Sequence, residues 1–154
     1  MGELAERVVE AIQAREWLLG TVEIGGDGAI SRRIFNTDVG PDLLGNSLIL
    51  EDINEAIILM DLPRPQFRNK GDFSAKAARA AAREGLGFLG VQACIVLWGL
   101  DEEAEEDDIC AYVAFGTSRN VVAEPVRARD VAGTALDGIV DRALALADRE
   151  LQEG

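Results

Sequence analysis

The chain is predicted to fold as a three-layer α/β/α sandwich on a mixed sheet of about five strands. Three observations predict it. Apolar strand-like runs and amphipathic stretches alternate in the order α-β-α-β-α-α-β-β-β-α. The early strands are separated by helices, which requires parallel pairing through crossovers. Late in the chain two strand-like runs meet at Gly116-Thr117-Ser118, a hairpin that contributes one antiparallel strand.

Leu4, Val8, Ala11 and Ile12 recur at helical spacing among Glu and Arg, giving a first helix over 3–15. Residues 17–24 are apolar, rich in strand formers and end at Gly25-Gly26, as a buried first strand should. Asp27 stands where an N-cap belongs, ahead of Ala29, Ile30, Ile34 and Phe35. Gly40-Pro41 breaks that helix, and 45–50 reads as a short second strand. A short helix over 54–60 is followed by a loop over 61–72, marked by Pro63, Pro65 and Gly71. Ser74 is placed to cap an Ala-rich helix over 75–86. Residues 92–98 form a nearly all-apolar third strand; 109–115 and 120–126 are the fourth and fifth. A long last helix over 130–151 aligns Leu136, Ile139, Val140, Ala143, Leu144 and Ala147 on one face. Ligands of such sheets bind beyond the carboxyl ends of the parallel strands. Those ends are 23–28, 51–54 and 98–101.

Composition excludes several function classes. The 154 residues suit one domain spanning 1–154, and the net charge of −13 disfavours nucleic acid and anionic membrane as partners. The chain has no histidine, which removes Ser-His-Asp triads, Cys-His dyads and His-ligated metals. Cys94 and Cys110 alone cannot hold zinc, so no metal and no cofactor is expected. The start of the chain lacks a basic segment followed by an apolar one, and no apolar run approaches the ~20 residues of a membrane span. Two buried, reduced thiols in a cytoplasmic protein are the expectation. If the third and fourth strands are neighbours, the two sulfurs come close, and a disulfide is open but not expected.

Several residues carry competing readings. Gly25-Gly26-Asp27-Gly28 is either a phosphate cradle at a helix N-terminus or a tight turn capped by Asp27; the Asp27 carboxylate would repel a phosphate, which favours the turn. Glu23 is either a general base in an apolar pocket or an acceptor for Asn54 or loop amides, and the second role is favoured. Ser31, one helical turn on, is a displaced nucleophile or, more often for its type, a helix-surface hydroxyl. Arg64, Arg68, Lys70 and Lys76 form a basic stretch that either holds an anion, meets an acidic surface of another subunit or is simply solvated. Seven carboxylates crowd 101–108 without the spacing or turn glycine of a calcium loop, so a solvated hairpin shoulder is expected there. Trp17 and Trp98 are read as core.

An ordered set of motifs resembles the C-terminal domain of the competence/damage-inducible protein CinA, a family that includes nicotinamide mononucleotide deamidases. The likeness runs from Leu4 to Leu146. It opens with Leu-Ala-Glu-Arg-Val-Val-Glu as the first helix. The family's Glu-Ser-Cys-Thr-Gly-Gly is met by Glu23-Ile24-Gly25-Gly26-Asp27-Gly28, and its Ser-Asn-Glu-Ala-Lys by Ile53-Asn54-Glu55-Ala56-Ile57. Gly71-Asp72-Phe73-Ser74 matches a Gly-x-x-Ser helix start, and Trp98-Gly99 stands for the Thr-Gly that ends the third strand. The family's Ser, Lys and Thr therefore fall on Ile24, Ile57 and Trp98, while Glu23 is retained. Arg127 or Arg129 lies near the place of a family arginine.

Amide hydrolysis needs an attacking oxygen, a proton acceptor and oxyanion donors, and isoleucine supplies none of them. A pocket around Glu23, Ile57 and Trp98 is expected to be apolar and partly filled. The resemblance then implies a CinA-like protein without deamidase activity, binding a small nucleotide-like ligand or assembling with itself as a homo-oligomer. Glu23, Gly25, Gly26, Gly28, Asn54, Trp98, Arg127 and Arg129 are its candidate ligand-binding residues. The alternative is an amidohydrolase on a nicotinamide nucleotide that uses substitutes such as Glu23.

Overall fold

Helix α1 (Gly2–Ala14) leads into β1 (Leu19–Ile24), followed by α2 (Ala29–Phe35), the single turn α3 (Gly40–Leu43) and β2 (Leu44–Leu50). Then come α4 (Ile53–Leu59), α5 (Ala75–Leu89), β3 (Ala93–Leu100), β4 (Ile109–Thr117), β5 (Val121–Arg127), a short 3-10 turn (Ala128–Asp130) and α6 (Ala135–Glu153). This computed structural model describes residues 2–62, 72–131 and 135–153.

The strands order as β2-β1-β3-β4-β5. β1 is parallel to β2 and β3, whereas β4 is antiparallel to both β3 and β5. This is the mixed α/β/α sandwich the element order predicts. Side-chain alternation sorts the strands onto two faces. Leu19, Ile95, Leu97, Val113 and Phe115 join the cluster packed by α1, α2 and α6. Val22, Ile24, Cys94, Val96, Trp98 and Ala114 join the cluster under α4 and α5. The second layer lies close to the sheet because α5 buries Ala77, Ala78, Ala81, Ala82 and Gly85. A Cβ on Gly85 would stand 2.9 Å from Cys94 Sγ, so a larger residue there would force the layers apart. Arg33 on α2 meets Asp141 on α6 at 2.8 Å, and Arg7 on α1 meets Asp148 at 3.0 Å, tying the first layer together.

Some boundaries differ from expectation. Gly40-Pro41 opens α3 rather than simply ending a helix, since Pro is accepted in a first turn and Gly40 N–H is taken by Thr37 Oγ1. The Ala-rich helix runs on to Leu89, and Ser74 caps it by accepting Ala77 N–H as the sequence implies. β3 extends to Leu100. Residues 128–130 form their own turn, separate from the last helix.

The thiols do not approach each other, although β3 and β4 are neighbours. Cys94 sits opposite Gly116, at the far end of the β4 ladder from Cys110, and the two belong to clusters on opposite faces. Both are free and buried, and burial pushes the Cys94 thiol up to about 12. Trp98 is fully buried, as expected. Trp17 is only partly so: it packs on the first cluster with the Arg15 guanidinium 5.5 Å above its ring. Among the described residues, no helix is long and apolar enough to cross a membrane.

Candidate functional site

The carboxyl end of β1 presents two adjacent residues to opposite faces. Glu23 points toward α2 and is completely buried. Its Oε1 accepts Ile30 N–H at 2.8 Å, and its Oε2 accepts Ser31 N–H at 3.0 Å. Two hydroxyls also donate to Oε2, Ser31 at 2.5 Å and Thr21 at 2.9 Å. A helix begins with four backbone N–H groups that have no partner inside it. Here Glu23 takes those of Ile30 and Ser31, and Ala29 N–H bonds Gly26 O; Arg32 N–H makes the first bond along the helix, to Gly28 O. The N-terminus of α2 is thus closed by a carboxylate from the neighbouring strand.

This corrects the expectation for Asp27. Its side chain makes no cap bond; the cap position is Gly28 at φ 77°, and Asp27 itself lies at φ 53°. A left-handed backbone at Gly28 costs a glycine little. A Cβ on Gly26 would fall 2.7 Å from Leu97 Cδ2, so that glycine marks a close approach to β3. Gly25 completes the turn with its N–H on Leu50 O at 2.9 Å. The amides of Gly25, Ala29, Ile30 and Ser31 are taken by the protein's own oxygens, and the Asp27 carboxylate stands in the same turn.

Around Glu23 lies a hydroxyl trio that the linear sequence conceals. Thr21, Ser31 and Ser47 place their oxygens 2.8 Å from one another. The trio depends on the β1–β2 register, which pairs Thr21 with Ser47. The signal available was the Thr21–Glu23 spacing of two on one strand, which puts both on one face. Ser31 therefore bonds the carboxylate, although its primary effect there is to complete the cap.

On the other face, Ile24 stands beside Trp98 in the β1–β3 ladder, and Ile57 from α4 joins them. All three are buried. Trp98 Nε1 donates to Asp72 O at 2.6 Å, which satisfies its one polar atom. The sheet therefore separates Glu23 from Ile57 and Trp98, and the single pocket expected around these three residues does not form. What opens beside Ile24 is a cleft of about 430 Å³ walled by Ile53, Phe73, Gly99 and Leu100, with Glu51, Asp52 and Asp101 at its rim. Its lining includes three carboxylates and, among the described residues, no cation.

The remaining candidates lie elsewhere. Asn54 is exposed on the first turn of α4, and its N–H goes to Asp52 Oδ1 at 2.9 Å. Arg127 donates to Asp107 O at 2.7 Å, and Arg129 pairs with the Asp107 carboxylate. With Ala128 N–H on Asp108 O and Arg129 N–H on Glu106 O, they fasten the acidic 101–108 loop to the end of β5. Within that loop Asp101 and Asp108 accept the N–H groups of Glu103 and Glu105. No group of three or more Cys, Asp or Glu among the described residues is placed to hold a metal ion. Arg64, Arg68 and Lys70 lie outside the described residues; Lys76 is exposed on α5.

No family model matches the chain, and no curated protein matches its sequence. Solved structures do match its fold. A CinA superfamily protein from Klebsiella pneumoniae superposes with a TM-score of 0.84 over 99% of this chain and 98% of its own, at 16% identity. One from Enterobacter cloacae gives 0.84 over 97% and 91%, at 15% identity. A competence/damage-inducible protein from Agrobacterium tumefaciens gives 0.74 over 99% and 92%, at 14% identity. The chain has the fold of these CinA superfamily structures along nearly its whole length.

Proposed function

We propose that this chain is a CinA-fold protein without amidohydrolase chemistry, and that it works by association rather than by turnover. The observation that carries the reading is the trio Ile24, Ile57 and Trp98, buried in one apolar cluster at the carboxyl end of the parallel strands. Three groups that cannot transfer a proton stand in the region where such folds bind substrate, behind the cleft. Glu23, the polar residue retained there in the sequence, faces the opposite layer with both oxygens committed to protein donors. The acidic rim of the cleft further opposes a nucleotide phosphate. Losing one member of a catalytic set usually costs several powers of ten in rate, and here three positions are apolar.

The test is ammonia release from nicotinamide mononucleotide by the purified chain. The expected result is a rate equal to the protein-free control. Turnover abolished by Glu23→Gln would overturn the reading and restore the substitute-residue amidohydrolase.

A further inference from the structure

The end of the sheet away from Ile24 and Trp98 holds a second cavity, of about 540 Å³. Thr117, which borders it, pairs with Ala93 at the start of β3, whereas Ile24 pairs with Trp98 at the other end. Phe115 and Leu151, both nearly buried, and the partly buried Trp17 give it an apolar lining.

Three elements frame it. Helices α1 and α6 both end here, and the last carbonyls of a helix have no partner inside it. Arg15 answers one from each: it donates to Ala11 O at 3.0 Å and to Leu151 O at 2.6 Å, with its guanidinium over the Trp17 ring. The β4–β5 turn supplies the rest. Thr117 Oγ1 accepts the N–H groups of Arg119 and Asn120, at 3.2 and 3.4 Å. Asn120 Nδ2 donates to Glu150 Oε1 at 3.2 Å, which joins the turn to α6, and Glu150 also meets Arg149 at 3.5 Å. Two charged groups of the lining are left over. The Arg119 guanidinium and the Glu153 carboxylate are exposed, and neither has a hydrogen-bond or ion-pair partner among the described residues. They do not neutralise each other, so an apolar-lined cavity offers one open cation and one open carboxylate.

We propose that this cavity binds a small zwitterion with an apolar body, a free apolar amino acid or a short peptide, whose carboxylate goes to Arg119 and whose ammonium goes to Glu153. Charge selects this class over its neighbours. A simple anion would gain Arg119 but face Glu153 and the field of a chain carrying −13. A simple cation would gain Glu153 but face Arg119 and Arg15. A zwitterion satisfies both groups and, having no net charge, is indifferent to the overall field. The planar guanidinium suits a carboxylate, which it can hold by two parallel N–H···O bonds. The volume falls within the ~300–1,000 Å³ usual for small-molecule sites, which also combine an apolar lining with a few polar groups. The cavity lies apart from Ile24, Ile57 and Trp98, so the inference goes beyond the proposed function and does not depend on the absence of turnover.

Calorimetric titration of the purified chain tests it. The probes are L-phenylalanine, the dipeptide Phe-Leu, phenylpropanoate, which lacks the ammonium, and phenethylamine, which lacks the carboxylate. Phenylalanine or the dipeptide should bind saturably below about 10 mM, and the tighter of the two names the source. Each single-charge probe should bind about tenfold more weakly, having lost one charge-assisted contact. Arg119→Gln and Glu153→Gln should each weaken the zwitterion about tenfold. Glu153→Gln should at the same time strengthen phenylpropanoate, and Arg119→Gln should strengthen phenethylamine, gains that a folding defect would not give. In the unaltered protein the indole N–H signal of Trp17 should move in a proton–nitrogen spectrum as phenylalanine is added, while that of buried Trp98 stays. Absence of saturable binding by either zwitterion overturns the inference. So do equal affinities for phenylalanine and phenylpropanoate, or affinities that neither substitution moves. The ammonia assay reads the other end of the sheet. A chain that binds no zwitterion and releases no ammonia loses this cavity's role and keeps the silent site; one that does both keeps the cavity and loses the silent site.

Discussion

Glu23 and Ile24 are consecutive residues on one strand, and the sheet gives them opposite fates. The polar residue faces α2 and is consumed in capping it; the apolar one faces α4 and α5 and is consumed in packing. The difference teaches how one strand end serves two layers at once, capping a helix on one face and packing a core on the other. On one face the helix amides that would greet an anion are answered internally. On the other, aliphatic and indole groups pack in one buried cluster under α4 and α5.

The comparison breaks most severely on the apolar side. Trp98→Ala should cost about 4 kcal/mol in denaturant unfolding, since it empties a large, fully enclosed volume. A cost below about 1 kcal/mol would mean the cluster is loose and the mouth open. Glu23→Ala should cost about 3 kcal/mol, because two buried N–H groups and two hydroxyls lose their acceptor together. An unaffected melting temperature would release Glu23 from its structural role.

The apolar face also has a pH signature. Burial raises the Cys94 thiol from 9.0 in the exposed state to about 12 in the folded one. Between those values the unfolded chain holds fewer protons than the folded chain, so stability falls as pH rises. A loss of roughly 1 kcal/mol between pH 9 and 10 is expected, and it should shrink in Cys94→Ala. The smallest effect belongs to the surface. Arg129→Ala should change stability by no more than about 0.5 kcal/mol, since its pair with Asp107 is solvent-exposed, while hydrogen exchange in 101–108 quickens.

Much of this architecture is legible in the sequence because it rests on local periodicity. The all-apolar third strand, the heptad-like face of the last helix and the Ser74 cap each need only neighbouring residues to be read. The site was less legible because its contacts are non-local. Asp27 has the right chemistry for a cap, but Glu23 reaches the same amides from the adjacent strand and displaces it. The Thr21–Ser31–Ser47 trio exists only once the β1–β2 register is set. Arg127 or Arg129 falls near the place of a family arginine, yet the acidic loop at 101–108 holds both. The alternation that parts Glu23 from Ile24 was readable in principle; grouping both around one pocket overlooked it.

The proposed reading rests on the buried apolar cluster of Ile24, Ile57 and Trp98 behind the cleft, and Trp98 reports on it directly. The chain has two tryptophans, so Trp17→Phe leaves Trp98 as the single emitter. Its fluorescence should resist acrylamide and stay unchanged as nicotinamide mononucleotide is added to about 1 mM, the upper range of ordinary substrate affinities. A saturable shift in that emission would show a ligand reaching the site, and would contradict the account.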